Sequence, residues 1–153
     1  MHSLTPDDHE FEQRVLLGEV RAADFDHRAH LRLAYIQIAQ HGPEQAVAVF
    51  RRTLIRFLEH HGIDPVKYHE TLTRAWLLAV GYFMRKAGST SGSDDFLARC
   101  VALHEPKVML SHYSRECLNS EAARQSFVAP DLDPIPVEES RSGAGAHSGR
   151  ARQ

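Results

Sequence analysis

Apolar residues recur every three to four positions through most of this chain, the rhythm of helices that bury one face, and no two-residue alternation of useful length interrupts it. Thr5, Pro6 and the acids Asp7 and Asp8 predict the start of a first helix: a hydroxyl cap, a proline at the first helical position and negative charge in the first turn. Phe11, Val15 and Leu16 then follow at helical spacing. A second helix begins near Asp24 or Asp26 and runs to His41, stopped by Gly42 and Pro43. The third carries Val47, Phe50, Leu54, Phe57 and Leu58 on one side and ends at Gly62. The fourth starts after Pro65 and continues to about Lys86.

"AGSTSGSD" then reads as a flexible surface loop. Ser93 with Asp94 and Asp95 opens a fifth helix, "EPKVMLSHYSREC" forms a sixth and a short seventh begins near Ser120, with Glu70 and Arg74 an i,i+4 ion pair on the fourth. Beyond Phe127 the character changes. Pro130, Pro134 and Pro136 enforce an extended path, and Val128, Leu132 and Ile135 give it an apolar side, so residues 128–137 are expected to lie along the domain as a strap. Residues 138–153, rich in Ser, Gly and Arg, read as a disordered tail. The pattern predicts an all-α fold, a single compact bundle of about five to seven helices over residues 1–137.

Composition narrows the function classes. The chain has 153 residues, about one domain, and a net charge of -2 that lacks the basic surplus nucleic acid or an anionic membrane would need. No apolar run approaches the roughly 18 residues of a membrane span, and "MHSLTPDDHEFEQ" is acidic and polar where a signal peptide is basic and then apolar. These features predict a cytoplasmic protein acting on a small molecule, with no nucleic-acid or membrane partner and a homodimer left open. Cys100 and Cys117 lack metal or redox spacing and read as reduced thiols.

Histidine is the outlying residue type, 11 in all. His41 and His60-His61 stand before glycines, where imidazoles favour a helix C-terminus. His104, before Glu105 and Pro106, reads as a loop or cap residue. His27 and His30 instead open the apolar second helix. At roughly 100° per residue His27 shares a face with Leu31, Ala34 and Ile38, and His30 lies at the edge of that face. On the fourth helix His69 heads a stripe of Thr73, Trp76, Val80 and Phe83. In an up-down bundle helices two and four run parallel, so both N-terminal ends, and all three imidazoles, meet at one end.

Such a gathering suits one transition-metal ion, iron, zinc or copper, with His27, His30 and His69 as ligands and His112 as the next candidate. Glu70 is a candidate further ligand or acid–base group, and Tyr35 a hydrogen-bond donor to bound water or substrate. The segment around His69 lacks the second histidine of H-E-x-x-H, and paired E-x-x-H motifs are missing. With no general base placed as in zinc hydrolases, redox chemistry is favoured over hydrolysis. The alternative is a non-catalytic binding or regulatory module whose histidines are core residues bonded to carbonyls or carboxylates.

The blocks "HRAHLRLAY", "KYHETLTRAW" and "HYS…AARQSFVAPDLDPIP" together resemble a recurrent set of small bacterial proteins of unassigned function, across roughly residues 20 to 136. The resemblance implies one helical domain with its motifs gathered in three places, and no reaction or cofactor. It adds weight to His112 and to Tyr113, which joins Glu70 and Tyr35 among the candidate catalytic residues.

Overall fold

A computed structural model describes residues 1–136; Val137 and the stretch expected to be a disordered tail lie outside the described residues. Seven α-helices follow in order: α1 (Pro6–Leu16), α2 (His27–His41), α3 (Pro43–His60), α4 (Glu70–Ala87), α5 (Ser93–Arg99), α6 (Arg115–Leu118) and α7 (Glu121–Gln125). Single 3₁₀ turns join several of them, and the only extended pairing among the described residues is one isolated parallel bridge between His2 and Thr90. The all-α expectation holds. No described helix is long and apolar enough to cross a membrane.

Local chemistry sets the helix starts. Thr5 accepts from the Asp8 amide at 3.0 Å while the Asp8 carboxylate accepts from the Thr5 amide at 3.1 Å, a reciprocal capping box ahead of Pro6. Asp26 caps α2 through the Ala29 amide, and Gly42, at φ 84°, supplies the left-handed turn that separates α2 from α3. Ser114 and Ser120 cap α6 and α7. The segment expected as one sixth helix is therefore broken. Pro106–Ser111 is a 3₁₀ turn, and Ser114 caps a new start after it, taking the Cys117 amide.

Helix α2 is the axis of the fold. From Leu31 to Ile38 every residue except Arg32 is buried, because α1, α3, α4 and α5 all pack around it. Leu31, Leu33, Tyr35 and Ile36 interlock with Phe50 and Phe57 of α3, Leu77 and Val80 of α4 and Phe96 and Leu97 of α5. A second cluster of Ala75, Met109, Tyr113 and Ile135 sits across α4. There the strap is fastened: Thr71 donates its hydroxyl to the Ser126 carbonyl and accepts from the Val128 amide, Tyr113 donates to the Val128 carbonyl at 2.6 Å, and Ile135 is buried. Leu132, expected on the apolar side, is half exposed.

The loop read as flexible is instead clasped to the N-terminus. The Ser3 amide donates to the Thr90 carbonyl and the Thr90 amide to the Met1 carbonyl. Tyr35 donates its hydroxyl to the Ser3 carbonyl, so Thr90 donates to Tyr35 and accepts from the His2 ring at 2.7 Å. Asp8, 1% exposed, accepts from the Ser93 amide, the Ser93 hydroxyl and the Arg32 guanidinium. A Cβ on Gly92 would lie 2.6 Å from Thr5 Cγ2, so only glycine lets the loop approach α1 this closely. Composition signalled flexibility; small polar side chains here bond to buried partners in place of water.

Candidate functional site

Between the N-terminal turns of α2 and α4 the bundle holds a cavity of about 610 Å³, within the range usual for small-molecule sites. Phe25, Leu31, Leu54, Phe57, Leu72 and Trp76 are among the apolar residues of its wall. His27, His30 and His69 all line it, so the expectation that two parallel helix starts would bring the three imidazoles to one end is met. His27 stands edge-on to Trp76 with ring centroids 4.6 Å apart, and His30 lies on Phe25 at 4.2 Å.

Each imidazole is already committed. His27 Nε2 donates to the Leu103 carbonyl at 2.9 Å, which leaves Nδ1 as a lone-pair acceptor. His30 Nδ1 donates to the Asp26 carbonyl at 2.9 Å, leaving Nε2. His69 is engaged on both sides. Nε2 donates to the Leu118 carbonyl at 2.7 Å, and Nδ1 accepts from the Leu72 amide at 3.1 Å. His69 is thus not a residue of the apolar stripe, as the helical spacing suggested, but the N-cap of α4, with φ -126° and ψ 106°. A ring that caps its own helix has no nitrogen free for a metal ion.

A donor set built from histidine alone is therefore short by one. His27 and His30 each keep one nitrogen while donating the other to a carbonyl, the outer-sphere bond metal-binding histidines use, but two ligands fall below the three of a catalytic site. Asp26 also lines the cavity, and its carboxylate takes the Ala29 amide on Oδ1 as the cap of α2. Among the described residues no three or more His, Cys, Asp or Glu side chains are gathered to hold an ion.

The remaining candidates lie elsewhere. His112 donates to the Asp133 carbonyl at 2.8 Å and borders a smaller hollow of about 180 Å³ under the strap. Tyr35 belongs to the N-terminal clasp and Tyr113 to the second core cluster; burial pushes both hydroxyls up, Tyr113 to about 12. Glu70 pairs not with Arg74 but with Arg51, which grips both carboxylate oxygens at 2.9 and 2.6 Å, while Tyr68 donates to one of them. The Arg51 bonds hold the Glu70 carboxyl below its ordinary range, and burial lifts the Tyr68 hydroxyl to about 12. Arg74 stacks on Phe127 instead, 4.7 Å from the ring centroid. None of His112, Tyr35, Tyr113 or Glu70 is among the cavity-lining residues.

Two residues that spacing did not single out do reach the cavity, Lys67 and Lys107. Each ends or enters an acid–proline turn of the same design. Asp64 accepts the Val66 amide ahead of Pro65, and Glu105 accepts the Lys107 amide ahead of Pro106. Those two acid–proline pairs were the available signal.

Burial of His30 disfavours its charged form and moves its pKa below 6.5, and burial does the same to His2 in the clasp. Both groups bind protons more readily unfolded, so stability is complete above about pH 6.5 and declines as pH falls below it. Urea midpoints should accordingly drop between pH 7 and pH 5, and His30→Gln should flatten part of that slope. An unchanged slope in the variant would remove His30 from the response.

The chain matches no protein-family model, no curated protein and no solved structure.

Proposed function

We propose that this chain is a small-molecule binding module that takes a largely apolar ligand into the cavity between α2 and α4. One observation carries the reading: an apolar, aromatic-walled cavity of about 610 Å³ whose histidines are satisfied by carbonyls and by a helix cap. Binding needs such a wall and a few polar groups near the opening. Catalysis by a histidine-held metal needs a third free donor, which His69 does not offer. The reading places the module in the cytoplasm, supported by Cys100 and Cys117 standing as free thiols.

The chain carries its own reporter. Trp76 is the single tryptophan and lines the cavity, so an occupant changes its emission. Titration with the uncharged probe N-phenyl-1-naphthylamine is expected to give a saturable change at one equivalent, weakened in Leu72→Phe, which narrows the cavity. A response that does not saturate, or that Leu72→Phe leaves untouched, overturns the reading.

The half-site of His27 and His30 supports a second reading, a metal-dependent enzyme that completes its coordination with a ligand from the substrate or water. It requires about one equivalent of iron, zinc or copper retained by the purified chain and lost in His27→Gln. No uptake from solutions of the three ions would end it.

A further inference from the structure

The cavity is apolar inside and unequally charged at its opening. Lys67 and Lys107, both exposed, stand on the two acid–proline turns that border it, and neither ammonium has a partner among the described residues. Many of the chain's other cations are spent on carboxylates: Arg32 on Asp8, Arg51 on Glu70, Arg28 on Asp94 and Arg99 on Asp95. The one carboxylate bordering the cavity, Asp26, already takes a helix-cap bond. Among the lining residues two ammonium groups therefore stand against one carboxylate, while Asp64 and Glu105, the acids of the two turns, take the Val66 and Lys107 amides and do not line the cavity.

From this charge pattern we infer that the ligand is an amphiphilic monocarboxylate, its hydrocarbon body against Phe57, Leu54 and Trp76 and its carboxylate between Lys67 and Lys107. The inference rests on the binding-module reading and adds the head group. Geometry also argues where that head group sits. His27 and His30 offer lone pairs to the cavity, which accept a hydroxyl or a water but do not attract an anion, whereas an ammonium has only donors. Lysine suits a head group held at an opening: a flexible, strongly hydrated point charge that follows the ligand without itself being buried.

The test compares decanoate with 1-decanol, equal in chain and different in charge, by Trp76 fluorescence on the full chain and on a Lys67→Gln/Lys107→Gln double variant. Both lysines are exposed, and an unchanged thermal midpoint verifies the variant's fold. Decanoate is expected to bind about tenfold tighter than 1-decanol at low salt, through two solvent-accessible charge pairs. That preference should shrink in 0.5 M NaCl and vanish in the double variant while decanol affinity is kept. Equal affinity for both amphiphiles in the parent chain overturns the head-group inference and leaves the cavity reading standing. A preference that survives the double substitution likewise overturns it, by placing the carboxylate elsewhere. If neither amphiphile nor the uncharged probe binds, both readings fall together.

Discussion

Asp8→Asn is expected to destabilise the fold by about 3 kcal/mol, more than any other single change considered. The carboxylate is 1% exposed and every bond it makes is accepted: the Thr5 and Ser93 amides on one oxygen, the Ser93 hydroxyl and Arg32 on the other. An asparagine keeps the shape but turns one acceptor into an NH₂, which must face either two amide hydrogens or a guanidinium. Burial alone would raise the Asp8 carboxyl, but the bonds from Ser93, Thr5 and Arg32 outweigh it and hold the group below its ordinary value. Its contribution is therefore complete above about pH 4 and lost as pH falls through the lower folded-state value. Urea denaturation of the two proteins at pH 7 and pH 3 measures both effects. The gap should be widest at pH 7 and narrow on acidification; a loss below about 0.5 kcal/mol at pH 7 would show that the clasp is not held by this carboxylate.

His69→Ala is expected to cost about 2 kcal/mol, roughly half from the lost cap and half from the abandoned Leu118 carbonyl. His69→Asn separates the two. Asparagine is a strong N-cap and can take the Leu72 amide, but it is too short to reach Leu118, so about half the loss should return. The ligand reading predicts otherwise, that His69→Ala removes a metal ion while the fold keeps its stability. Thermal midpoints of the three proteins, with and without a chelator, distinguish these outcomes. A His69→Ala protein as stable as its parent would withdraw the capping role.

Most helix ends were legible in the sequence because a local rule decides them. Thr5-Pro6, Asp26, Gly42 and Ser120 act at helix ends through bonds a few residues long, and those bonds are visible in the order of side chains, whereas Ser114 falls in the interior of the one expected sixth helix and instead caps a separate α6. His27, His30 and His69 meet at one cavity because parallel helices place their starts together, a consequence of topology that the helix order implies. Legibility ended where a long-range partner decides. Nothing near Glu70 announces Arg51 on another helix, and the i,i+4 Arg74 was the better local guess. The fourth helix is expected directly after Pro65, whereas Pro65–Lys67 forms a separate 3₁₀ turn and α4 begins only at Glu70, so His69 is the capping ring and not an inward-facing one; the placing of a helix start decides the chemistry assigned to the side chains around it. The loop 87–94 misled for the same reason, since small polar residues read as solvent-loving until Asp8 and Tyr35 supply buried partners.

The N-terminal clasp has a consequence in time. Ser93 and Asp8 are separated by 85 positions, and His2 and Thr90 by 88, so their bonds close long chain loops. Loop-closure entropy sets such contacts behind the local packing of α2, α3 and α4, which places them late, after the barrier to folding. Interactions absent at the barrier leave the folding rate alone and act on the rate of escape from the native state. The clasp therefore governs how long a folded molecule lasts rather than how quickly it forms. Loosening it shortens that lifetime and exposes the loop to proteases while refolding keeps its pace.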